Sequence, residues 1–163
     1  MAAPPGPAFR TLAPEQEIVH LATYGVLNKH NPLFSYVELG AGGGEDGRLE
    51  VHEVFGLTLH ARLLVLSACQ TGVGGGALAD VPPGDDWVGL VQGFLYAGAS
   101  NVLATLWPVA DVATARLMER FYKELAAGRS EAEALALAQR ATARDAGTAH
   151  PFYWAGFTLV RGR

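Results

Sequence analysis

"LVLSACQTGVGGG", residues 64–76, joins an apolar run to the only cysteine in the chain, Cys69, and then to a glycine-rich loop. With the residues before it, "ARLLVLSA" (61–68) is a continuous apolar segment bounded by polar and turn residues. That is the pattern of a strand buried on both faces of a parallel sheet. In open parallel sheets, ligands and catalytic groups gather at the C-terminal ends of the strands. Cys69 falls at such an end, and the glycines after it let a substrate chain approach closely. Two readings of the thiol follow. A free cysteine is among the most buried residue types and packs as a small apolar group, or it is a nucleophile acting as the thiolate.

Working outward, "EIVHLA" (17–22) reads as a short buried strand ending at Tyr24-Gly25. "GAGGGEDG" (40–47) marks a hairpin tip between "YVEL" and "RLEV". "WVGLVQGFLYAGA" (87–99) reads as a helix closed by Gly98, and "NVLATLW" (101–107) as a buried strand stopped by Pro108. Two helices follow. Asp111 is placed as the cap of the first, whose Leu117, Phe121 and Leu125 share one face, and Gly128 ends it. Ser130 with Glu133 makes a capping box for the second, and Gly147 closes it. "FYWAGFTLV" (152–160) is the final strand. Alternating strand and helix implies a mainly parallel sheet with helices on its faces. Two helices before the last strand return the chain to the end it left, so that strand is expected to run antiparallel. Residues 1–16, rich in Pro and Ala, read as a flexible tail, leaving 17–163 as the folded domain.

Composition narrows the function. The chain of 163 residues is half hydrophobic and 17% charged, which is a globular composition. Its formal charge of −4 includes only two lysines, Lys29 and Lys123, with no basic run, so no nucleic-acid partner is expected. No apolar stretch approaches the roughly 18 residues of a membrane span, and the start lacks a basic region followed by an apolar core. One cysteine makes no internal disulfide, and zinc would need more thiols or a tight histidine cluster. A reducing, cytoplasmic compartment, no membrane partner and no metal are the resulting expectations. Gly74–Gly76 precede no Lys-Ser/Thr pair and no GxGxxG pattern, so no nucleotide or other cofactor is expected.

Four segments together, "IVHLATYGVLNKHNPLFS", "LLVLSACQTGVG", "GDDWVGLVQGFLYAGASNVLATLWPVAD" and "HPFYWAGFTLV", resemble the CHAT domain from about residue 17 to 160. The CHAT domain is a caspase-like module grouped with caspases, separases and related cysteine peptidases. The resemblance implies an α/β, three-layer caspase-like fold: a mostly parallel sheet with an antiparallel last strand and helices on both faces. It places the family's cysteine on Cys69 and an oxyanion hole on the backbone N–H groups of Gly25 and Cys69. It also implies that 17–163 lacks strand–helix units which usually precede the histidine strand. The family's histidine lies in "ATHG", whereas this chain reads "ATYG", with Tyr24 at that position. A phenol of pKa about 10 cannot protonate a leaving amine as an imidazolium does.

The other histidines are poor substitutes. His20 shares a strand face with Tyr24 but lies about 13 Å back along the strand. His52 and His60 are expected near the opposite end of the cysteine strand, and His150 about 10 Å to the side. His30, in the loop after Tyr24, is the nearest stand-in. Asp80, Asp85 and Asp86 read either as receivers of a basic substrate side chain or as solvated loop and cap residues. Two functions stay open: a catalytically impaired regulatory or interaction module, and a cysteine endopeptidase acting on a protein or peptide substrate through Cys69. Residues 17–23, apolar and unblunted by lysine or proline, are expected to form an exposed edge that makes the chain a dimer or recruits a second polypeptide.

Overall fold

In chain order the elements are α1 (Gly6–Leu12), β1 (Ile18–Leu21), β2 (Tyr24–Val26), β3 (Tyr36–Glu38), β4 (Arg48–Glu50), α2 (Val51–Val54) and β5 (Leu63–Leu66). They continue with β6 (Cys69–Gln70), α3 (Asp85–Tyr96), β7 (Asn101–Thr105), α4 (Asp111–Ala126), α5 (Glu131–Arg144) and β8 (Phe157–Arg161). This computed structural model describes residues 6–28, 30–67, 69–70 and 85–162, with the side chains at 69–70 and 85–88 outside that description.

The central sheet has the order β1-β5-β7-β8, with β1, β5 and β7 parallel and β8 antiparallel to β7. Strand alternation divides the apolar residues between two layers. Val19, Leu21, Leu64, Leu66, Val102 and Ala104 face one core with Leu90 and Phe94 of α3, Val51 and Val54 of α2 and Phe9 of α1. Leu63, Val65 and Leu103 face the other, against Leu117 and Phe121 of α4 and Ala134 and Ala138 of α5. Helices therefore cover both faces of a mostly parallel sheet, the α/β three-layer arrangement of a caspase-like fold.

A second sheet, order β4-β3-β2-β6, grows out of the first. Its outer part is the β3–β4 hairpin turned by the glycines at 42–44 and 47. Its inner part continues the central strands: β1 leads through Ala22 and Thr23 into β2, and β5 leads through residues 67 and 68 into β6. The pairing survives the break. His20 pairs with Val65 and Leu21 with Leu66 before it, and Tyr24 pairs with Cys69 after it, always at an offset of 45 residues. The two strands thus leave one sheet and enter the other together, without a register slip.

Several boundaries differ from the sequence reading. The flexible tail expected over 1–16 is corrected for residues 6–15. These form α1 and a 3₁₀ turn, with Phe9 and Ala13 buried, and Arg10 bonds Glu53 at 2.6 Å; residues 1–5 lie outside the described part. Asp111 is not the cap of α4 but its first residue, because Ala110 already has extended geometry at the N-cap. The Ser130–Glu133 capping box is present, and the Ser130 hydroxyl and Ser130 N–H, both donating to the Glu133 carboxylate, hold that carboxyl below the usual range. α5 stops at Arg144 rather than near Gly147. Thr142, buried there, accepts through its carbonyl from the Thr148 hydroxyl, which draws the chain off the helix axis. The last strand starts at Phe157, because Pro151–Tyr153 form a 3₁₀ turn capped by His150.

α3 ends at Tyr96 and is closed, as read, by Gly98 two residues on, whose φ of +111° lies in the region that favours glycine. Ala97 there accepts the Leu59 N–H at 2.6 Å, and a Cβ on Gly98 would collide with the Leu59 carbonyl oxygen. Gly98→Ala combines backbone strain with a clash against immobile backbone, so we expect it to cost more than about 1 kcal/mol. Urea unfolding monitored by circular dichroism measures this; a smaller loss would mean that the α3–β7 turn repacks freely.

Candidate functional site

β1 and β5 end at one place, where β2 begins, and the first two turns of α4 wall it in. The resulting cleft has a volume of about 570 Å³. His20 and Ser67 form its floor beside Ala22 and Tyr24, while Glu38 and Leu39 enter from β3 and the residue after it. Asp111, Thr114, Ala115 and Met118 of α4 close the far side. The position follows from strand polarity: parallel strands ending together leave a crevice where their connections diverge.

Of the residues singled out from sequence, Tyr24 stands at the cleft, 51% exposed, and its backbone pairs directly with Cys69. Gly25 is the next residue of β2, buried and paired with Val37 on one side and Gln70 on the other. Rather than finishing the apolar strand, as its place in the sequence suggests, Cys69 opens β6, three residues beyond the end of β5, its side chain outside the described residues. Asp80 lies outside the described residues altogether. Asp85 and Asp86 open α3, and their side chains lie outside too. Among the described residues no cluster of three or more His, Cys, Asp or Glu could hold a metal ion.

Four of the histidines take up posts away from the cleft walls. His30 is exposed in the loop, its N–H donating to Asn28 Oδ1. His52 meets Glu50 at 3.1 Å and the Phe34 ring. His60 is exposed, and His150 accepts from the Phe152 N–H. His20 is the one that lines the cleft.

The surroundings of His20 were not anticipated. Its Nε2 lies 2.7 Å from Ser67 Oγ, and its Nδ1 lies 2.9 Å from the Tyr122 hydroxyl on α4. Both ring nitrogens are thereby engaged. The Tyr122 ring also stacks at a tilt beside the imidazole, 5.7 Å between centroids. Partial burial among these neighbours lowers the His20 pKa below 6.5 and pushes the Tyr122 phenol up to about 12. A sequence signal existed: His20 and Ser67 are polar residues on one face of two otherwise apolar strands. Only the register brings them together.

The lowered pKa carries a pH dependence. The unfolded chain takes up a proton on His20 near pH 6.5, whereas the folded chain resists until a lower pH. Stability from this group is therefore complete above 6.5 and falls as pH drops toward the folded value. Urea midpoints between pH 5 and 7 should decline less steeply in His20→Gln than in the parent; equal slopes would place the acid sensitivity elsewhere.

Comparison with known proteins agrees with this architecture. Residues 7–162 match the family model described as "CHAT domain". Tetratricopeptide repeat protein 28 is 34% identical in Mus musculus and 32% identical in Homo sapiens, each over 112 residues covering 69% of this chain. The chain spans only about 4% of the length of those relatives. No described helix is long and apolar enough to cross a membrane. A mostly parallel three-layer sheet, a cleft at its C-terminal edge and a match across nearly the whole sequence have one meaning: the chain belongs to the CHAT domain family, with its caspase-like fold.

Proposed function

We propose that this chain is a caspase-like regulatory or interaction module built on a cysteine-peptidase frame, catalytically impaired because Tyr24 occupies the place of the dyad histidine. The observation that carries the reading is the pairing of Tyr24 with Cys69 across β2 and β6. A base on β2 at that position would stand beside the cysteine strand end, and the residue there is a phenol. A thiol with no positioned base, ordinarily of pKa about 8.5, is only a few per cent ionised at neutral pH. The missing acid–base partner is worth about 10²–10⁴ in rate. His20 does not replace it, since Ser67 and Tyr122 already occupy both of its nitrogens.

The alternative, an active endopeptidase cutting a protein substrate through Cys69, then needs a base that the described cleft walls do not offer. On the peptidase reading the Gly25 and Cys69 N–H groups would form the oxyanion hole, and Asp80, Asp85 and Asp86 would receive a basic substrate side chain. Tyr24→His tests the reading. It should restore a Cys–His pair, so the rate of Cys69 alkylation by iodoacetamide should show an inflection at least one pH unit lower than in the parent. At pH 7 the gain in thiolate outruns the loss in nucleophilicity by about threefold per unit. A parent chain that already shows the low inflection would favour the active peptidase.

We also infer that association occurs along β1. Among the described residues β1 pairs only with β5, so its outer backbone groups face away from the sheet. Beside it Leu12 of α1 is 61% exposed in a shallow apolar groove with Phe9 and Ile18. An open edge next to apolar surface recruits another strand. Light scattering at micromolar concentration should report a dimer or a chain that binds a second polypeptide. A stable monomer with fast amide exchange at 18–21 would overturn this.

A further inference from the structure

Ser67, His20 and Tyr122 form a continuous hydrogen-bonded chain on the cleft floor, and nothing about a cysteine peptidase requires it. The Ser67 hydroxyl and the His20 imidazole are 2.7 Å apart, within reach for proton transfer. The third group, Tyr122 Oη at 2.9 Å, holds the other ring nitrogen. A hydroxyl, a base and a group that orients the base are the components of an activated serine, whatever fold carries them. Here they come from β1, from the residue after β5 and from α4, three elements fixed by the two buried cores. The pair also faces solvent: Ser67 and His20 both border the 570 Å³ cleft.

We propose that Ser67 is a second nucleophile of this cleft, with His20 as its general base and Tyr122 as the positioning residue, acting on carboxylic esters with short uncharged or cationic acyl groups. The productive tautomer has Nδ1–H donating to Tyr122 Oη, which leaves Nε2 to accept the Ser67 proton. Ser67 Oγ bonds to the ester carbonyl carbon and His20 Nε2 takes its proton. The carbon–oxygen bond to the alcohol then breaks, and the alcohol leaves with the proton from His20. Water next attacks the acyl-serine, gives a proton to His20 and releases the carboxylic acid. The serine recovers its hydrogen from the imidazolium, and no oxidant or reductant is needed.

The walls select the substrate. Ala22, Leu39, Ala115 and Met118 give an apolar lining suited to a short acyl chain, while Glu38 and Asp111 disfavour an anionic one. The amino end of α4 opens on the same space, so the positive end of a helix of 16 residues faces charge developing on the carbonyl oxygen. Asp111, in that first turn, offsets part of this field. The titratable groups around His20 are Tyr122 and Asp111 from α4, Tyr24 from β2 and Glu38 from β3, with no cation among the cleft's described lining residues. The rate should therefore follow His20, rising as the imidazole loses its proton below pH 6.5.

The test is labelling by a fluorescent alkyl fluorophosphonate, followed by fragment-ion mapping of the adduct. An adduct on Ser67 of the folded parent chain is expected, with its rate levelling off above pH 6.5. His20→Gln should slow labelling by about 10²-fold or more. Tyr122→Phe should slow it several-fold and move the pH inflection, a change that mere loss of packing would not produce. Hydrolysis of 4-nitrophenyl acetate should fall in parallel across these variants. Absence of a Ser67 adduct on the folded parent overturns the proposal, as does a rate unchanged in His20→Gln. An unmoved inflection in Tyr122→Phe removes Tyr122 from the mechanism. These readouts sit on Ser67, whereas alkylation reads Cys69, so this inference and the reading of the thiol can fail separately.

Discussion

The parallel pairing of the first two central strands is the constraint on which the site depends. β1 and β5 are hydrogen-bonded neighbours at an offset of 45 residues, and the same offset persists where their continuations meet as β2 and β6. A slip of one residue would turn every side chain of one strand to the opposite face. It would separate His20 from Ser67 and remove Tyr24 from its place opposite Cys69. The register is held because both faces are buried. Leu63 and Val65 point into the α4/α5 core, while Leu64 and Leu66 point into the α2/α3 core, all at most 1% exposed. Shifting the strand exchanges the two sets and asks each core to accept the other's shapes. Packing far from the cleft thus sets which residues the cleft contains.

The break in the paired strands gives the site its depth. A straight β1–β2 strand would carry Tyr24 about 13 Å beyond His20 on one flat face. Because both strands leave the central sheet together, the β2–β3 sheet rises beside the first turns of α4, and His20 and Tyr24 line one cleft. Thr23, within the break, donates its hydroxyl to the Glu38 carbonyl at 2.5 Å and ties the bend to the hairpin. Ser67 lies at the matching point of the other strand, its N–H bonded to the Leu21 carbonyl and its hydroxyl to His20. The polar residues at the break therefore satisfy backbone and side-chain groups that a continuous ladder would have paired.

Much of this architecture is legible in the sequence, where the pattern is local and strong. The apolar run at 63–66, the glycine-rich hairpin tip, Gly98 after α3 and the Ser130–Glu133 box each announce their element within a few residues. What escapes depends on partners remote in sequence. α1 looks like a tail because "GPAFRTL" has only two large apolar residues, Phe9 and Leu12; it becomes a helix by burying Phe9 against the α2/α3 core. The 3₁₀ turn at Pro151–Tyr153 shortens the last strand because His150, Trp107 and Gln139 bind its backbone from outside. Strand order and polarity put Tyr24 and Cys69 beside each other past the ends of β1 and β5, but do not reveal that they open two further strands, β2 and β6. The His20–Ser67 bond needed the register as well, and distance measured along one strand gave no hint of it.

Under the two proposals made above, the cleft does not depend on a single nucleophile. Ser67 and Cys69 are two residues apart; Ser67 lies in the break after β5 and borders the cleft, while Cys69 opens β6. Tyr24, on β2, presents a phenol to the cleft, whereas His20 and Ser67 are held by hydrogen bonds among β1, the strand break and α4. Substituting position 24 leaves that geometry untouched, because His20 is held by Tyr122 and Ser67 rather than by Tyr24. The shape of the cleft, set by the two cores, therefore does not depend on the residue at position 24.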